Sequence, residues 1–491
     1  MRVLGVTKQQ RDGLLSVRLS AICRRGLLFA ALLCVTIVLL PAGSAVARPA
    51  DLTTTEVSFV GAGGVELHGT LVAPPSRGTT ELHPGLVMLP GAGPGERAEL
   101  RTAAEAYARH GVVTLIYDKR TTGYSMVHRD YSVLADDALA AFRLLQKRPD
   151  VDRGKVGLWG LSEGAWSASL AASRSADVAF LITAGAVGLT PARQQAWAYG
   201  EFLRHHRVSG SLTDTMQDTA TRQLVGAGLF PEADYNPVPA WERVHQPVLA
   251  LWGVLDHEAA PAESAQIIRK ALARGGNTHY TIRFVPAVRH NLNLSEDDGF
   301  DRPSALPADY ADFESSWIQR LSDGGGLPPV SVGPAPQQDR LSQALAPLAW
   351  YESPWLQLVA ISLFVVGFAG YPLVGAVRKL RGDRHPAPLG WSARWLAGAG
   401  LAASVGTLGY LLFCVITAAN IIGPVLLGRT VPWLALQGLA VAAVVAAVCT
   451  AVTWRRSRPV LSRSERARLG LLLTAGAVFV PWAVQWGLLL P

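Results

Sequence analysis

Cysteine is nearly absent from this chain: four in 491 residues, at Cys23, Cys34, Cys414 and Cys449, so none lies between residues 35 and 413. A segment of nearly 300 residues is thereby excluded from a disulfide framework and from any cysteine-type metal cluster, and its stability must come from its core. Acidic residues are scarce outside Arg48–Ser353. That stretch carries 27 Lys and Arg against 34 Asp and Glu, whereas the remainder of the chain carries 18 against 3. The formal net charge of +8 is therefore not a basic patch on a soluble domain but a property of segments that flank apolar runs, and nucleic-acid binding is discounted.

Long apolar runs are what is present, in a chain that is 49% hydrophobic and long enough for about three domain-sized units. At the start, Arg2, Lys8, Arg11, Arg18, Arg24 and Arg25 precede the run Gly26 to Leu40 and then Ala45-Val46-Ala47. This reads as a signal peptide over residues 1–47, with an uncleaved signal anchor as its rival; either sends the downstream chain across a membrane. A Gly/Pro-rich linker is expected over 323–352, flexible and then extended. Beyond it, from 353 to 491, four runs (Pro354 to Val377, Trp395 to Ala419, Val431 to Thr453, Leu469 to Leu490) each reach the roughly 20 residues of a spanning helix. Trp355, Trp391, Trp395, Trp433, Trp454 and Trp482 fall mostly near their ends, as interfacial anchors do. Arg378, Lys379, Arg381, Arg384 and Arg394 lie between the first and second runs. Arg455, Arg456, Arg458, Arg463, Arg466 and Arg468 lie between the third and fourth, and only Arg429 between the second and third. Positive loops face the cytoplasm, so residues 48–353 are expected outside, at a multi-pass cell-membrane protein. No charged side chain falls inside a run, which argues against a transport role.

Between these membrane signals, residues 48–322 alternate strand and helix patterns. A hairpin is expected over Thr54 to Pro74, then strands Gly85–Leu89, Val112–Tyr117, Lys155–Trp159, Ala179–Thr183, Pro247–Gly253 and His279–Val285, with helices Tyr131–Gln146, Ala165–Ser173 and Pro261–Ala273 among them. Such βαβ units build a mainly parallel, doubly wound sheet covered on both faces. Residues 190–244 break the pattern with polar helices interleaved with Trp197, Tyr199, Phe202 and Leu203, and are expected to form a helical cap over the carboxyl edge of the sheet.

Gly160-Leu161-Ser162-Glu163-Gly164 closes one of these strands and opens a helix. The spacing alone is weak; the strand–turn–helix context makes it a nucleophile elbow, in which two glycines let the backbone bend sharply enough to hold a serine hydroxyl out of the sheet. Asp256 follows the strand Pro247–Gly253, and His290 follows the last predicted strand of this segment. Chemistry then assigns roles: Ser162 attacks a carbonyl, His290 takes and returns its proton, and Asp256 orients the imidazole. Backbone N–H groups of Glu163 and of the Gly91-Ala92-Gly93 loop, Ala92 foremost, would make the oxyanion hole. His205, His206 and His245 read as cap surface or helix-end residues rather than ligands.

Residues 54–322 resemble the α/β-hydrolases, specifically the serine hydrolase and aminopeptidase-like group, through Lys155–Gly164, Leu251–Asp256, His290-Asn291, the loop Leu89–Arg97 and the loop Tyr117–Ser125. Pro90 stands where many members have His, and Thr121 where Gly is usual. The resemblance implies an α/β-hydrolase fold with a cap insertion, followed here by an all-α transmembrane domain, and a triad needing no metal or other cofactor. The expected protein is an exported, membrane-tethered serine hydrolase acting on ester, thioester or amide bonds of a small-molecule or lipid-like acyl substrate, esterase before peptidase. The alternative is a non-catalytic binding or sensing domain that signals through the spans.

Overall fold

Val248-Leu249-Ala250-Leu251-Trp252-Gly253 is buried at every position, as a parallel strand covered on both faces must be. It is the seventh strand of a nine-stranded sheet ordered β1-β2-β4-β3-β5-β6-β7-β8-β9. The strands are β1 (Thr53–Val60), β2 (Glu66–Ala73), β3 (His83–Leu89), β4 (Val113–Tyr117), β5 (Val151–Leu161), β6 (Leu181–Ala184), β7 (Val248–Gly253), β8 (Tyr280–Val285) and β9 (Val330–Val332). β1 pairs antiparallel with β2, and β2 with β4; every other pairing is parallel. This computed structural model describes residues 52–75, 82–325, 327–382, 390–457 and 461–491. The expected targeting segment, and Arg384 and Arg458 of the basic loops, lie outside the described residues.

Chain order reverses between β3 and β5: from β3 the sheet grows one way through β4, and from β5 the other way through β6, β7 and β8. Loops leaving the carboxyl ends of strands at such a switch point open a crevice, and it is here that the loops after β3 and β5 meet. Helices Tyr131–Gln146 and Glu163–Ala172 cover one face with Leu134, Ala138, Phe142, Leu145, Ala168 and Ala171 in the core. Helices Arg101–Arg109 and Asp312–Ser322 cover the other through Ala104, Tyr107, Trp317 and Ile318.

The segment 323–352 differs from the flexible linker expected of its glycines and prolines. Val330–Val332 adds a parallel edge strand to β8, where the preceding prolines cost no ladder hydrogen bond inside the sheet. Residues 337–342 then form a strap: Gln338 Oε1 accepts from Ala262 N at 2.9 Å, Ser342 N donates to Glu263 Oε2 at 2.9 Å, and Trp197 Nε1 donates to Arg340 O at 2.9 Å.

Among the described residues, four helices are long and apolar enough to cross a membrane: Pro354–Leu380, Gly390–Ile416, Val431–Ser457 and Arg463–Gln485. At about 1.5 Å per residue each reaches the thickness of a hydrocarbon core. They do not stand apart from the sheet domain. Helix Pro191–His205, in the segment expected to cap the sheet, faces two ways, with Trp197 and Ala198 in the core of the sheet domain and Tyr199, Phe202 and Leu203 in the apolar cluster of the spans. The next cap segment adds Val208, Leu212 and Met216 to that second cluster. Polar contacts close the joint: Ser209 N to Gly428 O at 2.8 Å, Ser211 N to Pro491 O at 3.1 Å, Trp433 Nε1 to Ser211 Oγ at 3.1 Å, and His206 Nε2 to Asn420 O at 3.1 Å. Removing residues 353–491 should expose this face of the cap. The truncated domain is expected to self-associate and to melt about 5 °C or more below the full chain; a monodisperse monomer with unchanged Tm by light scattering and calorimetry would contradict the shared core.

Candidate active site

Ser162 occupies φ +52°, ψ −112°, a conformation that non-glycine residues adopt only under constraint. The constraint is backbone contact on both sides. A Cβ at Gly160 would lie 2.3 Å from Gly164 O, and a Cβ at Gly164 would lie 2.5 Å from Leu89 O and 2.7 Å from Pro90 O. The two glycines thus let the turn close on itself and let the elbow helix press against the loop after β3. Ser162 N donates to Ala184 O at 2.9 Å, fixing the turn to the end of β6.

Asp256 comes after β7 in a tight turn and is wholly buried. Its Oδ1 accepts from Glu258 N at 2.8 Å and Ala259 N at 2.9 Å, and its Oδ2 faces His290 Nδ1 at 2.9 Å. Burial pushes the Asp256 carboxyl up, but the His290 charge and the three hydrogen bonds outweigh it and hold the group below the usual carboxylate range. For His290, burial pushes the imidazole down while Asp256 and Glu258 push it up, with a net rise. The His290 loop can reach the strand end because residue 253 is glycine: a Cβ there would lie 2.2 Å from Val288 O. Gly185 does the same on the other side, at φ +57° with a Cβ position 2.7 Å from His290 Nδ1. Consecutive residues, Ala184 and Gly185, therefore touch the Ser162 backbone and the His290 ring. Among the described residues, His290 is hydrogen-bonded to Asp256 and not to Ser162. Glu258, the neighbouring acid, is engaged by Arg302 at 2.6 Å instead of His290.

The elbow after β5 and this strand order, a mainly parallel sheet with helices on both faces, are those of the α/β-hydrolase fold. The domain has that fold. Residues 100–323 match the prolyl oligopeptidase family, Peptidase_S9. A stretch of 137 residues, 27% of the chain, is 29% identical to "Thiohydrolase aneE" of Aspergillus aculeatus, and spans 42% of that curated relative's length. Among solved structures, a dienelactone hydrolase from Anabaena variabilis aligns over 55% of this chain and 98% of its own, with 20% identity and a TM-score of 0.35. An acylaminoacyl peptidase of Pyrococcus horikoshii aligns over 50% of this chain and 39% of its own, with 16% identity and a TM-score of 0.37.

The α/β-hydrolase domain carries a second set of side chains that the sequence pattern does not reveal. The elbow motif gives Glu163 a role only through its backbone N–H, yet its carboxylate, 1% exposed, sits among Lys119, Tyr124 and Arg129. Lys119 Nζ approaches Oε1 at 2.8 Å, Tyr124 OH donates to Oε1 at 2.7 Å, and Arg129 Nη1 approaches Oε2 at 2.5 Å. The tripeptide Asp118-Lys119-Arg120 distributes its three charges to three places. Asp118 accepts from Arg97 N and Arg97 Nη1, both at 2.9 Å; Lys119 meets Glu163; Arg120 makes a two-point pair with buried Asp137 at 2.7 Å for each bond and donates to Ala62 O at 2.8 Å. The run of charges in the loop after β4 was the available signal; Arg129 had none.

Gly164→Ala should force Leu89 and Pro90 away from the elbow, an overpacking cost of about 1–3 kcal/mol. A lowered Tm and slower labelling by a serine-reactive fluorophosphonate are expected; a variant matching wild type in both would refute the backbone contact.

Proposed function

We propose that the chain is a membrane-tethered serine hydrolase whose catalytic domain lies on the extracytoplasmic side and whose acyl-enzyme forms on Ser162. The observation that carries this reading is the strained Ser162 elbow next to a buried, 2.9 Å Asp256–His290 pair. Ser162 Oγ attacks the substrate carbonyl as His290 takes its proton; the tetrahedral oxyanion is held by the N–H groups of Glu163 and Ala92. His290 then protonates the leaving group, and water repeats the sequence on the acyl-enzyme. Asp256 holds the Nδ1 proton and balances the imidazolium.

Ester and thioester substrates are favoured over peptides. The likeness to a thiohydrolase supports the thioester, and the sequence offers no recognisable acidic or aromatic pocket for a peptide terminus. A lipid-like acyl chain is supported by the cap, which rests on the spans.

Fluorophosphonate labelling of wild type, absent in Ser162→Ala, is the direct test; folded wild-type protein that resists the probe would favour a binding module. Loss of Ser162 or His290 should each lower kcat on the order of 10⁴-fold or more, with little added by combining them. His290 is active when neutral, so kcat/KM should rise with pH through an imidazole held above its ordinary value. Asp256→Asn removes the charge that stabilises the protonated ring, so this acid limb should move to lower pH and kcat should fall; an unmoved limb would reassign the third member.

Topology has a separate test. In a background without the native cysteines, a cysteine at Ser331 should react with an impermeant maleimide in intact cells and one at Ser457 should not. Equal labelling would overturn the orientation.

A further inference from the structure

Lys119 is the most buried lysine-type charge near the elbow, 4% exposed, and the triad chemistry gives it no role. Its ammonium does more than pair with Glu163. It donates to Gly91 O and approaches Gly93 O at 3.3 Å, both in the loop after β3, and it lies 3.1 Å from Tyr124 OH. The loop in turn wraps the lysine: Lys119 N donates to Gly95 O at 3.1 Å, and a Cβ at Gly95 would lie 2.9 Å from Lys119 Cε. Desolvation pushes the Lys119 ammonium down, while Glu163 resists that shift.

A peptide plane couples these contacts to the site. In a trans peptide the carbonyl of one residue and the N–H of the next point in opposite directions. With Gly91 O held toward Lys119, the N–H of Ala92 is turned away from the lysine, and no acceptor meets it among the described residues, at an exposed position of the loop. The next N–H, of Gly93, is already spent on Tyr124 OH at 3.2 Å, and residue 94 is a proline with none to offer. Glu163 closes the circuit. Its backbone N–H is the other expected oxyanion donor, and its side chain grips the same Lys119 and Tyr124 that fix the loop.

We propose that Lys119, anchored on the Glu163 carboxylate, is a positioning residue that sets the direction of the Ala92 N–H and so assembles the oxyanion hole from two separate loops. This rests on the serine-hydrolase reading above. Arg129 holds the second oxygen of Glu163, so the carboxylate keeps a cation when Lys119 is neutralised, and the elbow need not collapse with it. Tyr124 acts alongside, taking up the Gly93 N–H that would otherwise compete for the substrate oxygen.

The test is Lys119→Met in the full-length chain, with p-nitrophenyl acyl esters as substrate and kcat expressed per fluorophosphonate-titrated serine, so that lost fold and lost chemistry separate. An oxyanion donor is worth about 10²–10³ in kcat, so a misaimed one should cost on the order of 10²-fold in kcat with KM within about threefold of wild type. A structural role alone would lower the number of titratable sites and leave kcat per site unchanged. Should Lys119→Met fail to accumulate, Tyr124→Phe, which frees Gly93 N, is read the same way, with a kcat fall of about tenfold expected. Wild-type kcat per site in whichever variant is read overturns the proposal while the hydrolase reading stands. A wild type that neither labels nor hydrolyses overturns both.

Discussion

The structure turns on how closely three backbones approach at the end of β5. Ser162 can stand at positive φ only because Gly160 and Gly164 leave the turn without side chains, and because the carbonyls of Leu89 and Pro90 lie against the start of the elbow helix. This one contact joins the strand that carries the proposed nucleophile to the loop that carries the expected oxyanion donor. It sits at the switch point of the sheet, where neighbouring strands send their connections in opposite directions and leave the crevice open. A strained serine at a helix N-terminus, with Ala184 holding its backbone and the adjacent Gly185 against the His290 ring, is a costly local arrangement that the surrounding sheet over-determines.

Around that contact, charge is used as fastening. Glu163 is buried with two cations and a phenol, and Arg120 is buried with Asp137, all without a disulfide or a cysteine-type metal cluster in the domain. Buried ion pairs add little net stability, because desolvation offsets most of the attraction, but removing one partner is costly and alternative pairings are worse. Their effect here is to specify geometry: Asp118, Lys119 and Arg120 each pin a different segment, so one short loop sets the positions of the turn after β1, the loop after β3 and the elbow.

The cap links this machinery to the spans. Phe300 is stacked between His205 of the cap, at 3.9 Å, and His257, at 4.1 Å, and His257 is the residue after Asp256. Glu201, on the same cap helix, lies 3.5 Å from His257. One packed layer thus runs from the loops that join the membrane helices, through the cap, to the turn that carries the acid, and the apolar face of the cap has its partner in the spans rather than in solvent.

Much of this was legible in the chain. Period-two and continuous apolar runs marked eight of the nine strands of the sheet, because a strand's burial is written in its own residues; four runs of spanning length marked the membrane helices for the same reason. The order Ser162, Asp256, His290 was readable because each comes after a recognisable strand. The ninth strand was not, since Val330–Val332 is an exposed edge whose pairing depends on β8 and not on its own short sequence. Nor was the clasp on Glu163, whose partners Lys119 and Arg129 lie 44 and 34 residues away and are brought to it by loop geometry, not by any period. The sequence by itself determined which segments are strands, helices and spans, because those depend on local patterns of burial. Only the tertiary structure decided which charges meet, which backbone N–H groups stay free and what covers the cap, because each depends on segments that become neighbours only when the sheet closes around them.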